Sequence, residues 1–342
     1  MSAHGMPSSS GSATKESGPL TKDPGSPDRS RHRLLQFLSG TQGPLIGLVL
    51  LCVVFACTTS VFLTIRNALN IVDQVTTLGI LALGMTGVII IGGIDLSVGS
   101  ILGLSIMVLG WLPQDYGVPF PLALLLCVLA GGLCGVVNGL LVTRARLPAF
   151  IATLTMMSVA RGLANITTDG QQVVGYPDWF TGLATERHLG VLSATVGVFI
   201  ALALAAWVFL RYRATGRSLY AIGGSAEVAR LAGIKVKKLT VGVYAASGLL
   251  AGVAAAVMAA RLDSSQPSAG LGYELDAIAA VVIGGASLSG GIGSITGTVI
   301  GVFIIGVLHN GLNLLGISPF IQQVVIGCVI AVAVTFDTMR RR

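Results

Sequence analysis

Asp95 is the residue in this sequence whose position most needs a reason. It stands in Gly92-Gly93-Ile94-Asp95-Leu96-Ser97-Val98-Gly99, between two long apolar runs. A carboxylate at membrane depth is costly and marks function by default, such as contact with a passing solute. It can also accept backbone N–H bonds as the cap of a helix beginning at Leu96. The two roles are compatible. Ser97 shares the same polar step. Uncharged polar groups recur inside the other apolar runs: Asn67, Asn70, Gln74, Asn138, Thr153, Thr155 and Ser158. Such groups can exchange a neutral solute's hydrogen bonds with water for hydrogen bonds with protein, and no charge traps the solute. They can equally join helices to one another.

A third candidate lies in the most charged stretch between apolar runs, residues 211–240, which holds seven basic residues and one acid, Glu227. Within it, Ser225–Gly233 reads SAEVARLAG: a Ser N-cap, alanine-rich helix formers and a glycine stop. The spacing predicts a short amphipathic helix. Ala226, Ala229 and Ala232 would let it seat closely in a partner's cleft, with Glu227 and Arg230 flanking it. A solvated basic loop touching lipid headgroups is the plainer reading.

Enzymatic machinery is missing from the sequence. There is no G-x-x-x-x-G-K-[ST] phosphate loop, and Gly291-Ile-Gly293 fails as a dinucleotide fingerprint because the next glycine, Gly297, comes one residue late. The five cysteines lie in apolar segments without paired spacing, and the four histidines are scattered. The chain is therefore expected to be a non-enzyme with no cofactor or metal of its own. If it moves a solute uphill, another protein must bind the ATP.

The surroundings of these residues define the class. Hydrophobic residues make up 53% of the 342, charged residues 10%, and the mean hydropathy is +0.85. Soluble domains carry about a quarter charged residues, so most of this surface must face lipid. Glycines recur at four-residue spacing inside apolar runs: Gly131, Gly135 and Gly139; Gly248 and Gly252; Gly293, Gly297 and Gly301. Small residues one helical turn apart let helix backbones approach closely in lipid. The expected fold is an all-α polytopic bundle.

Residues 1–40 are rich in Ser, Gly and Pro and are expected to form a disordered cytoplasmic tail, leaving 41–342 as the membrane domain. The first apolar run, near Pro44, is too long for a signal peptide and lacks its cleavage pattern. Spans are expected near 44–64, 70–91, 96–112, 121–142, 148–164, 191–210, 240–260, 276–289, 292–315 and 319–337. The third and eighth are short and glycine-rich enough to be broken or re-entrant, so the count is ten, with eight as the fallback. With both termini inside, 17 of the 21 Lys and Arg face the cytoplasm, leaving Arg66, Arg161, Arg187 and Arg261 outside or near the outer ends. An internal echo is present: Ile91–Gly99 matches Ile283–Gly291 at six of nine positions. Repeated halves with broken helices are common in transporters.

Four strings carry a family resemblance: NALNIVDQVTTLGILALGMTGVIIIGGIDLSVGS (Asn67–Ser100), LPAFIATLTMMSVARGL (Leu147–Leu163), TGRSLYAIGGSAEVARLAGIKV (Thr215–Val236) and GYELDAIAAVVIGGASLSGGIGSITGT (Gly272–Thr298). Across about 45–341 the chain resembles the ribose/xylose/arabinose-type permease subunits of bacterial ABC importers. Branched-chain amino-acid permeases share the AIAAVVIGG string more than GGIDLSVG. The resemblance implies an inner-membrane permease that pairs with a second copy or paralogue. It implies that a periplasmic or lipid-anchored binding protein delivers a monosaccharide. It also implies that a partner dimer of ATPase domains holds the ATP and Mg and drives alternating access. Ser225, Ala226, Glu227, Ala229, Arg230, Ala232 and Gly233 then resemble the family's coupling helix, although asparagine is commoner than serine at position 225. Membrane lipids are the remaining partner, and nucleic acid is not expected. The alternatives are an ABC permease for a branched-chain amino acid or nucleoside, and an ion-coupled secondary transporter. The second would want several intramembrane acids, whereas the spans offer almost none besides Asp95.

Overall fold

A computed structural model describes residues 42–188 and 192–339. The expected tail over 1–40 and the basic end at 340–342 lie outside them. In chain order the helices are α1 (Gln42–Thr58), α2 (Ile65–Ile90), α3 (Val98–Tyr116), α4 (Phe120–Thr143), α5 (Ala149–Ile166), α6 (Asp178–Thr185), α7 (Ala194–Tyr212), α8 (Ala214–Gly224), α9 (Ala226–Leu231), α10 (Val236–Leu262), α11 (Tyr273–Ile283), α12 (Ile295–Leu314) and α13 (Pro319–Met339). Seven of the described helices, α2–α5, α7, α10 and α12, are long and apolar enough to cross a membrane. Each of the ten expected spans contains a helix. However, α1 has only 17 residues, α11 only 11, and the described apolar part of α13 runs 319–332. The stretch 96–112 is a regular helix rather than a broken one, whereas 276–289 leaves the helix at Gly284.

Burial divides these helices into layers. The centre is α2, enclosed from Val75 to Thr86 without interruption, with α10, α12, α11 and α7 against it. The outward faces of α4, α5 and α7 expose Leu125, Leu133, Ile151, Val159, Ile200 and Leu204. In water such a surface would aggregate; in lipid it is the expected exterior.

The α4–α10 seam is made by glycine. A Cβ on Gly131 would lie 2.3 Å from the carbonyl oxygen of Gly248, and one on Gly135 2.1 Å from that of Tyr244. Gly139 meets Val241, and Gly252 meets Val128, so both sequence-read glycine rows face the same crossing. The third row splits: Gly297 and Gly301 seat α12 on Gly284 and Ala280, while Gly293 precedes α12.

Among the described residues, four two-residue strands are the one departure from an all-α fold. The strands β1 (Val173–Val174) and β4 (Ser264–Ser265) pair antiparallel, as do β2 (Arg187–His188) and β3 (Leu192–Ser193). In the chain, β1 follows α5, β2 and β3 join α6 to α7, and β4 follows α10. Beside β1, Phe120 of α4 meets Trp179 and Phe180 edge to face, as Tyr176 meets Phe180, while Phe120 and Tyr176 pack at a tilt; Arg161 of α5 donates to the carbonyls of Pro267 and Ala269.

Candidate functional site

Two central helices stop inside the bundle, and both stop in the same way. At the end of α2, Gly93 N–H donates to Val88 O and Gly92 N–H to Ile89 O; after α11, Ala286 and Gly285 do the same to Val281 and Val282. Each closure needs a left-handed residue, supplied by Gly92 (φ 78°) and Gly285 (φ 93°). The sequence echo aligns Gly92 with Gly284, so the structural correspondence runs one residue out of register. Farther on, the aligned pairs agree: Ser97 N–H donates to Asp95 Oδ1 at 3.0 Å, and Ser289 N–H to Ser287 Oγ at 3.3 Å.

The two breaks, 91–97 and 284–294, touch one another and the end of α8. Gly291 N–H donates to Ile90 O at 2.9 Å. Into this contact fits Gly223, where a Cβ would sit 1.9 Å from Ile90 O and 2.3 Å from Gly291 N. Gly290 meets Gly223 O and the Gly92 backbone, each at 2.9 Å from its would-be Cβ. Tyr220, on α8, donates its hydroxyl to Gly293 O at 3.0 Å. Two residues after Gly223 stands Ser225, which caps α9 by accepting Val228 N–H at 3.3 Å. Backbone contacts therefore link the predicted cytoplasmic helix to both breaks.

Asp95 does not cap a helix at Leu96. The helix begins at Val98, and Asp95 sits before it as a bridge. Its Oδ1 accepts from Ser97 Oγ at 2.5 Å, and its Oδ2 accepts from Ser247 Oγ of α10 at 3.2 Å. Asn138 of α4 donates to Ser97 Oγ at 2.8 Å, and Thr153 of α5 donates to Ile94 O at 3.1 Å. Asp95, Ser97, Asn138 and Thr153 are fully enclosed. The cluster joins the start of α3 to α4, α5 and α10 in the interior of the bundle.

The other candidates scatter. Asn67 exchanges both amide hydrogen bonds with Asn310 of α12, at 3.0 and 2.9 Å. Asn70 is exposed beside Arg66, and Gln74 is half-buried. Thr155 and Ser158 are exposed and donate to carbonyls of their own helix. Sequence reasoning missed a polar group in the membrane: Asp276 of α11, His309 of α12 and Gln322 of α13, which meet one another. Asp276 is a second buried acid, so Asp95 is not alone at depth. The signal was present, since His309, Asn310 and Asn313 occupy one apolar run at helical spacing.

On α9, the structure redistributes the roles of the small residues. Ala229 is 2% exposed and faces the chain's own interior, while Val228 and Leu231 are 64% and 75% exposed. Ala226, Ala232 and Gly233 are also at the surface, and Gly233 ends the turn at φ 83°. Arg230 bonds Glu227 at 2.5 Å and holds its carboxyl below the usual range. The presented face is thus apolar, edged by one ion pair.

The family described as branched-chain amino acid transport system / permease component matches residues 67–334. The ribose import permease protein of Bacillus subtilis (strain 168) is 46% identical over 298 residues, covering 86% of this chain and 92% of that one. Its Escherichia coli (strain K12) counterpart is 43% identical over 304 residues, 88% of this chain and 94% of the other. The L-arabinose ABC transporter permease protein of Azospirillum brasilense is 35% identical over 316 residues, 92% of each. No solved structure gives a significant match.

Proposed function

The chain belongs to the branched-chain amino acid transport system / permease component family, and from that premise we propose that it is the membrane subunit of an ABC importer for a monosaccharide. The relatives named for ribose and arabinose support the sugar. The single structural observation that carries the mechanism is the crossing of Gly223 with Ile90 and Gly291. Through it, a partner ATPase that moves α9 also moves both breaks. The chain binds no cofactor; ATP and Mg belong to that partner. A periplasmic or lipid-anchored binding protein supplies the sugar, and a second permease, identical or paralogous, completes the pathway.

In this reading the chain makes ten passages of a bacterial inner membrane: α1–α5, α7, α10, α11 with its following break, α12 and α13. Both termini are cytoplasmic. Enclosed Asp95, Ser97, Asn138, Thr153 and Asn67 would meet substrate only when the bundle opens. Asn70 is accessible from the start and Gln74 partly so, whereas Thr155 and Ser158 share the outward face of α5 with Ile151 and Val159.

Uptake tests the proposal. Proteoliposomes holding this chain, its ATPase and its binding protein should accumulate labelled pentose when ATP is supplied. The chain alone should neither hydrolyse ATP nor take up sugar. Uptake by the chain alone under a proton or sodium gradient would overturn the assignment. Leucine transport in place of pentose would move the cargo to the class in the family's own description.

The docking face gives a second expected result. Leu231→Glu removes an exposed leucine that would be buried by the ATPase, worth about 1.5–3 kcal/mol or at least about tenfold in affinity. Co-purification of the ATPase should fall accordingly, with the permease still folded. Ala229→Trp should instead disturb the permease itself, because position 229 has no room. Wild-type association of Leu231→Glu and Val228→Glu alike would remove α9 from the interface.

A further inference from the structure

His309 of α12 stands between α11 and α13. Its Nε2 lies 3.2 Å from Asp276 Oδ2, and its Nδ1 lies 3.3 Å from Gln322 Oε1. The orientation of the Gln322 amide is settled at its other end. There Nε2 donates to the main-chain oxygen of Ile317 at 2.9 Å, a group that only accepts, and to Asn313 Oδ1 at 2.7 Å. Oε1 must therefore be the atom facing His309, and it too only accepts.

An ionised Asp276 also only accepts. The His309 ring thus meets an acceptor at each nitrogen, whereas a neutral imidazole carries a single N–H. We propose that Asp276, His309 and Gln322 form a binding site for one proton, held as an imidazolium that clasps α11, α12 and α13. The charges balance: the ring carries one positive charge and Asp276 one negative, and both ring N–H groups are donated. If the proton leaves, Nε2–H can stay on Asp276, but the Nδ1 lone pair then faces Gln322 Oε1. Rotating Gln322 to relieve this gives up its bonds to Ile317 and Asn313. Deprotonation therefore breaks the hydrogen bond to α13 and spares the one to α11.

The neighbouring charges leave this balance intact. On α11, Glu274 and Tyr273 lie within electrostatic reach of Asp276, and Arg261 at the end of α10 acts on Tyr273. From α2 comes the neutral Asn67–Asn310 pair, and α13 contributes neutral Gln322. Among the described residues, Asp276 is the charged group facing the ring. The site does not depend on which solute is transported.

Nitrogen-15 NMR of the histidine rings in the full chain, held in lipid nanodiscs at pH 7.5, tests the proposal. The His309→Gln variant identifies the His309 signal among those of His4, His32 and His188. The expected wild-type signal is that of a ring protonated at both nitrogens. In Asp276→Asn, the same ring should carry one N–H at that pH. A wild-type His309 with one bare nitrogen would overturn the proposal. So would a doubly protonated ring that persists in Asp276→Asn. Should that variant fail to fold, the wild-type spectrum alone decides.

Discussion

Replacing Gly248 by valine is expected to leave almost no folded protein in the membrane. A side chain there must occupy space 2.2 Å from Gly131 O and 2.9 Å from Gly135 N, and backbone atoms cannot turn aside as a side chain can. The helices must part by more than an ångström, and that gap opens along the whole seam, including Gly135 against Tyr244 O. Overpacking typically costs about 1–3 kcal/mol and more where nothing can relax, against a stability of about 5–15 kcal/mol. Gly242 is the control, since it lies on the same helix with open space where its Cβ would go. Gly242→Val should express and elute as a single species like the parent, while Gly248→Val aggregates or is degraded. Equal yields would mean that the seam does not hold the bundle.

Replacing Gly223 by alanine should cut uptake by at least tenfold while leaving insertion intact. The new methyl group would overlap Ile90 O and Gly291 N, so α8 must withdraw from both breaks. The link from α9 to the interior then loosens, although α9 keeps its Ser225 cap and its exposed Val228 and Leu231. The expected signature is hydrolysis without transport: the ATPase still binds and turns over, but the binding protein no longer stimulates it. Gly224, the next residue, has nothing within 4 Å of its would-be Cβ, and Gly224→Ala should behave as the parent. If the two variants transport equally, the crossing plays no part in coupling.

Much of this was legible in the residues because membrane packing leaves a local trace. Gly131, Gly135, Gly139, Gly248 and Gly252 announced a close crossing, since four-residue spacing puts them on one helix face. The break after residue 283 followed from a run too short and glycine-rich to cross. Partnerships between distant segments leave no such trace. Nothing local ties Asp276 to His309 and Gln322, or Asp95 to Ser247. The cap expected of Asp95 failed because three hydrogen-bond donors, two of them from Ser97, hold it as a bridge. Ala229 was misjudged as an outward contact because six residues of helix fix no face until the neighbouring helices are in place. The one-residue register shift between the echoing breaks is likewise a matter of where each helix closes, which turn geometry decides.

The glycine seam also makes the bundle responsive to the thickness of the bilayer. At 1.5 Å per residue, α4 and α10, with 24 and 27 residues, are about 36 and 40 Å long. The hydrocarbon layer is roughly 30 Å, and helices longer than it tilt to fit. Backbone seated on backbone cannot slide, so the two must lean as one body. Asn138 on α4 and Ser247 on α10 are anchored to Ser97 and Asp95. That lean reaches the start of α3 and, through it, the break that meets Gly223. The acyl-chain length of the surrounding lipid therefore sets the resting angle of the helices around the two breaks.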